Sequence, residues 1–86
     1  MAPTWPLREL VVITWHDSYT RGRWYELEEH RKVCGLPMEC RTVGWVTKRD
    51  KETITVVQTM SGDAVSDSMT IPLSCIRRVR RVPLDA

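Results

Sequence analysis

The sequence predicts a mainly β chain: a small five-stranded barrel with one short inserted helix. Three observations lead there. Successive stretches are rich in β-branched and aromatic residues and alternate apolar with polar. Turn-forming residues separate them at short intervals. One stretch, between the first two strands, instead spaces its apolar residues as a helix does. At 86 residues the chain is one small domain, and near closure of a small sheet manages its unpaired edges.

Residues 1 to 9 read as an N-terminal arm, because Pro3 and Pro6 interrupt regular hydrogen bonding. The domain spans 10 to 84. Its first strand is LVVITWH, Leu10 to His16, with Val11, Ile13 and Trp15 on one parity. Asp17 and Ser18 end it, as both favour turns. A helix is expected over about 23 to 34. Trp24, Leu27, Arg31 and Cys34 form one stripe, and Glu26, Glu28 and Glu29 precede His30, Arg31 and Lys32 in the order the helix dipole favours. Gly35 sits where a C-cap belongs, with Pro37 beyond it. A helix this short needs the body to dock on.

The second strand is CRTVGWVTK, Cys40 to Lys48. Both of its parities carry apolar residues, and Gly44 at its centre signals a sharp bend or a close approach of backbone. A charged connection, Arg49 to Glu52, leads to the third strand, Thr53 to Met60. Ser61 to Asp67 reads as a loop and Ser68 to Ile71 as a short fourth strand. The last stretch, IPLSCIRRVRRVP, places Ile76, Val79 and Val82 every three residues, a period that suits neither helix nor strand. A single turn over 72 to 75, then a strand from about Ile76 to Val82 with a bulge, reconciles it. Ile71, Ile76 and Val79 are then the expected core anchors.

No run of about 18 apolar residues is present, so no membrane helix is expected. The start, MAPTWPLREL, lacks the basic-then-apolar pattern of a signal peptide, and the expected location is the cytoplasm. Cys34, Cys40 and Cys75 are odd in number, which argues for free thiols rather than a disulfide framework. The formal net charge is +2, yet residues 76 to 86 carry +3 and residues 1 to 75 carry −1. The C-terminal end is thus a basic patch on a nearly neutral chain. A dedicated duplex-DNA binder carries a larger excess.

From about Leu10 to Val82 the pattern, with its IPLSCIRRV ending, resembles the Src-homology-3-like and Sm-like small barrels. PRC-barrel domains end similarly. A closer resemblance is to small proteins encoded by bacteriophages and prophages. It is carried by Ile13, Trp15, Asp17 and Ser18, by Thr42, Val43, Gly44, Trp45 and Val46, and by Ile71 and Pro72. Ile13 and Thr42 stand where that pattern has Val and Ser. The resemblance implies an origin in a mobile element and a role in the host cytoplasm during infection. It carries over no catalytic residues.

Several residues invite a chemical reading. His30, Cys34 and Cys40, with His16 or Cys75, are soft enough ligands for zinc, but no Cys-x2–4-Cys knuckle exists. The competing reading packs the cysteines between helix and barrel and leaves His30 as a solvated charge. His16, Asp17 and Ser18 are adjacent rather than convergent, since neighbours in a strand face opposite ways; no enzyme and no cofactor is expected. Asp17 caps a turn or accepts a hydrogen bond from a ligand at the barrel rim. Trp15, Trp24 and Trp45 each read as core, and any one exposed beside Arg77 or Arg80 becomes a stacking platform for single-stranded nucleic acid. Arg77, Arg78, Arg80 and Arg81, with Arg41, Lys48 and Arg49 on the neighbouring hairpin, form the candidate binding face; charge protecting an edge strand is the competing account. Guanidinium forks suit carboxylate and phosphate equally. The leading expectation is a non-enzymatic binding module acting on a host or phage protein, with anti-defence activity by occlusion or by sequestering a nucleotide signal as one form. The alternative is a nucleic-acid-binding accessory protein, and a weaker one is a part of the virion. Homo-oligomerisation through exposed edges is left open.

Overall fold

The structure, a computed structural model, describes residues 7 to 84. Most of the expected arm, with Pro3, Trp5 and Pro6, lies outside the described residues. Five strands follow in order: β1 (Leu10–Asp17), β2 (Met38–Arg49), β3 (Thr53–Ser61), β4 (Ala64–Pro72) and β5 (Ile76–Arg81). A helix, α1 (Leu27–Val33), is inserted between β1 and β2, and a 3-10 turn, Leu73–Cys75, joins β4 to β5. All pairings are antiparallel and give one sheet of order β4-β3-β2-β1-β5. The chain is therefore mainly β with one short helix. The sheet is open among the described residues: β4 and β5 are its edges, and no ladder joins them.

β2 belongs to two ladders in succession. Its first part, Met38 to Trp45, pairs with β1, and its last part, Trp45 to Arg49, pairs with β3. The change of partner falls beside Gly44. A Cβ built on Gly44 would lie 2.9 Å from Val56 Cβ and 2.9 Å from the Val57 carbonyl oxygen. Only glycine lets the strands approach this closely. The bend that results wraps the sheet around a small core of Val11, Ile13, Ile54, Val56 and Ile71, with Trp15, Val46, Cys75 and Ile76 packed at its margin. Trp15 also donates its indole N–H to Thr42 Oγ1 at 2.9 Å, so its one polar atom is satisfied.

Three expectations need correction. The helix covers Leu27 to Val33 rather than 23 to 34, none of its residues is buried, and its N-cap Glu26 makes no side-chain capping bond. Trp24 is 99% exposed and Leu27 60% exposed. The amphipathic stripe is real in the sequence, but the 20-residue insertion that carries it leaves the sheet at Asp17 and returns at Met38, opposite each other in the ladder. It therefore extends beyond the sheet instead of lying on it. Second, Ser61 to Asp67 is not a loop. A two-residue connection, Gly62-Asp63, joins β3 to β4, with Gly62 at φ +59°, the conformation a tight hairpin demands of its first turn residue. Polar residues on both faces of β4 disguised it, and all of it except Ile71 is exposed. Third, Val79 is 42% exposed. It pairs with Ile13 and takes the core-facing parity, but β5 is an edge strand and its far side lacks cover.

The described residues have a radius of gyration of 17.6 Å and extend 64 × 24 × 21 Å. A compact chain of this length would have a radius near 12 Å (~2.2·N^0.38). The difference fits an insertion projecting from one end of the β1–β2 ladder and a β3–β4 hairpin whose tip, Thr59 to Ser66, has no partner strand in β2.

Two outcomes follow from this packing. Gly44→Ala is expected to destabilise the fold by about 1–3 kcal/mol, because the new methyl must displace backbone at Val57; a lower urea midpoint with unchanged slope would register it. In the β2–β3 turn, Asp50 Oδ1 accepts the backbone N–H groups of Glu52 and Thr53, each at 2.8 Å, and the Thr53 hydroxyl at 3.3 Å. These bonds, with Lys48 nearby, hold the Asp50 carboxyl below its ordinary value of 3.8. A carboxyl depressed on folding stabilises above its unfolded pKa and loses that contribution as pH falls through the folded one. The melting temperature of the wild type is therefore expected to exceed that of Asp50→Asn at neutral pH, with the gap closing only below 3.8. A gap that persists at much lower pH would refute the assignment.

Candidate functional site

Directly paired residues of an antiparallel sheet share a face, so the ladders sort the side chains. Val11, Ile13 and Trp15 of β1 look toward the core with Gly44, Thr42 and Cys40 of β2. The outer face carries the other parity: Leu10, Val12, Thr14 and His16 of β1 beside Trp45, Val43, Arg41 and Glu39 of β2. On the opposite side of β1, Val12 pairs with Arg80 and Thr14 with Arg78. Thr14 is thus flanked by Arg41 from β2 and Arg78 from β5, whose Cα atoms lie about 10 Å apart across two strand spacings. Arg80 follows two residues on, about 7 Å along the strand. Arg41, Arg78 and Arg80 together with Val12 and Thr14 line a cleft of about 180 Å³.

β5 reaches this arrangement through a bulge. Thr14 pairs with Arg78 but Trp15 with Ile76, so Arg77 is the extra residue. Its Nε donates to His16 Nδ1 at 3.1 Å. The shift returns Ile76 to the core side beside Trp15 and leaves Arg78 and Arg80 outside. Arg81 pairs with Val11 and takes the other face, where its guanidinium lies 3.5 Å from Glu9 Oε1. Arg49 reaches the same carboxylate at 2.9 Å. Glu9 is therefore shared by Arg49 and Arg81. Among the described residues no carboxylate pairs with Arg41, Arg78 or Arg80; Glu39, the acid nearest on that face, is opposite His16.

The expected face is thus divided. Arg41, Arg78 and Arg80 converge. Arg77 is tied to His16, Arg49 and Arg81 to Glu9, and Lys48 stands at the β2–β3 irregularity beside Asp50. Asp17 Oδ1 accepts the Ser18 N–H at 2.8 Å, the turn-capping role. Trp15 is at the core margin and Trp24 in solvent, but half-buried Trp45 shares the arginine face, one row of residues from Val12 and Arg80. Arg41, Val43 and Trp45 occupy alternate positions of one strand, and that parity was the signal available in the sequence. Cys34, Cys40 and Cys75 are free thiols. Cys40 is on the core side of β2 while His30 and Cys34 line an open depression in the insertion with Tyr19, Arg21 and Leu36. Among the described residues no three His, Cys, Asp or Glu side chains gather to hold a metal.

The insertion is a separate surface. Arg21 donates to the Val33 carbonyl at 3.0 Å, and its guanidinium lies 5.6 Å from the Tyr19 ring centroid. The Arg23 guanidinium lies 4.3 Å from the Tyr25 ring centroid; Arg23 and then Arg21 hold the Tyr25 phenol below its ordinary value. Trp24, Leu27 and Leu36 stand exposed around these pairs. No helix among the described residues is long and apolar enough to cross a membrane.

Comparison with known proteins adds no relative to this picture: no protein-family model, no curated protein and no solved structure matches the chain.

Proposed function

We propose that the chain is a non-enzymatic binding module whose outer sheet face grips the backbone of single-stranded nucleic acid. The observation that carries this reading is the position of Arg41. Charges on β5 alone have a simpler account, since edge strands use them against aggregation. Arg41 comes instead from β2, on the other side of β1, and stands across Thr14 from Arg78, so the charges converge on one point rather than spread along one edge. Three like charges gathered without an ion-pair partner cost stability, and an anionic ligand offsets that cost. Trp45 on the same face supplies the aromatic surface on which a base stacks beside the charges. In this reading the sheet is of the Src-homology-3-like or Sm-like kind and the site works in an infected host's cytoplasm, as the sequence resemblances imply.

A protein partner is the second reading, and the insertion favours it. Trp24, Tyr25 and Arg23 are the residue types that dominate binding hot spots, and Trp24 is 99% exposed. A host component occluded during infection would meet this surface rather than the arginines.

Short single-stranded oligonucleotides should bind with an affinity that falls with salt. Three phosphate contacts give a log–log slope of about −2, at roughly −0.7 per contact on single strands. Fluorescence titration should show the slope shrinking as Arg41, Arg78 and Arg80 are changed to Ala, while Arg81→Ala, already paired with Glu9, stays near wild type. Salt-independent binding, or equal losses for all four variants, would exclude this face as the grip. The protein reading predicts instead one stoichiometric band from host lysate, removed by Trp24→Ser with a change of unfolding free energy no larger than the ~0.5 kcal/mol of a surface substitution; an empty capture counts against it.

A further inference from the structure

We propose that the Arg41–Arg78–Arg80 cleft holds one phosphomonoester, so that the module recognises the phosphorylated end of a strand rather than its interior. This rests on the nucleic-acid reading above and narrows it to one chemical group.

Shape comes first. The cleft measures about 180 Å³ and is lined by five residues, Val12, Thr14, Arg41, Arg78 and Arg80. Pockets for whole small molecules run from about 300 Å³ upward. The space suits a group the size of phosphate and does not enclose a base with its sugar.

Convergence comes second. A backbone track spreads its cations along the path of the strand. Here Arg41 and Arg78 approach one residue, Thr14, from opposite sides, and Arg80 is the next outward-facing position of β5. The three guanidiniums can reach a single point above Thr14, whose hydroxyl adds a further donor at the floor. Of the other two β5 arginines, Arg77 is held by His16 at the bulge and Arg81 lies on the other face of the sheet beside Glu9, so neither extends a track along this face.

Donor arithmetic comes third. Each guanidinium offers a planar fork that matches two acceptor sites. A phosphodiester inside a strand has two non-bridging oxygens and a single negative charge. A phosphomonoester has three acceptor oxygens and a charge of about −1.5 to −2 at neutral pH. Three forks saturate the second and exceed the first. Since none of the three arginines has a carboxylate partner among the described residues, the ligand displaces water rather than an existing ion pair.

The test compares one short oligonucleotide sequence in three forms, 5′-phosphorylated, 3′-phosphorylated and hydroxyl-ended, by fluorescence anisotropy at fixed salt, with inorganic phosphate as competitor. One phosphorylated form should bind about tenfold or more tightly than the hydroxyl-ended strand, and which one it is distinguishes the two ends. Inorganic phosphate should erase the difference. Arg41→Ala and Arg78→Ala should each abolish the preference, with Arg81→Ala retaining it; all three sites are exposed, and circular dichroism confirms folding. Equal, salt-sensitive binding of all three forms would overturn end recognition and leave the nucleic-acid reading standing. Thermal protection by inorganic phosphate without binding of any oligonucleotide would support the phosphate cleft and overturn the nucleic-acid reading. No binding of oligonucleotide or phosphate would overturn both.

Discussion

The close approach of Gly44 to Val56 and the Val57 carbonyl is the constraint on which the rest of the fold depends. Without a side chain at Gly44, β2 can leave β1 and take up β3 within a few residues, and Trp45 is the one position paired with both. A straight β2 would make a flat sheet with no interior. The bent one brings Ile54 and Ile71 of the β3–β4 hairpin over Val11 and Ile13 of β1. It also divides β2 by function. The half paired with β1 presents Arg41 outward, and the half paired with β3 closes the core through Val46.

So small a core sets a limit on what else the chain can hold in place. Among the described residues its buried side chains are all aliphatic, and the large aromatic ones lie at its margin or outside it. Each fully buried aliphatic contributes about 1.5–3 kcal/mol, which orders the five strands near the bend but leaves little for distant elements. The insertion and the tip of the β3–β4 hairpin are accordingly held by local bonds: Arg21 to the Val33 carbonyl, Arg31 to Glu28, the tight turn at Gly62. The arginine cleft avoids this weakness. Its residues come from β1, β2 and β5 alongside the fully buried Val11 and Ile13, so the backbone beneath the guanidiniums is anchored on the core.

Much of the architecture was legible in the sequence, and the exceptions have physical reasons. β1, β3, the turn before β5 and the close approach at Gly44 were readable because each depends on near neighbours: parity, a proline, a glycine in an apolar strand. β4 was read only in its second half, Ser68 to Ile71; its start, Ala64 to Asp67, is exposed and polar with no clear alternation, and Gly62-Asp63 looks the same in a long loop as in a two-residue turn. The helix was overextended because its apolar stripe signals a partner surface without saying whose; nothing local tells Trp24 that the sheet ends before reaching it. Of the binding face, the basic residues were visible but their grouping was not. Glu9 draws Arg49 and Arg81 away, and that pairing crosses three segments of chain far apart in sequence.

The three-residue period of the last strand finds its explanation here. Arginine pairs separated by single apolar residues fit no regular strand, in which every second residue faces the same way. Were β5 regular, Ile76 would share a face with Arg78 and Arg80, and either the isoleucine would be in water or the arginines in the core. The bulge at Arg77 resolves the conflict. It places Ile76 against Trp15 and sets Val79 and Arg81 on the same side, so that Arg78 and Arg80 alone turn outward to meet Arg41. The irregularity that makes this segment a poor strand in sequence is what separates an anchoring face from a charged one. A bulge is tolerated at a sheet edge because only one ladder is interrupted, and β5 is an edge. Its place in the sheet therefore permits the irregularity, the irregularity sorts the arginines, and the sorting forms the cleft.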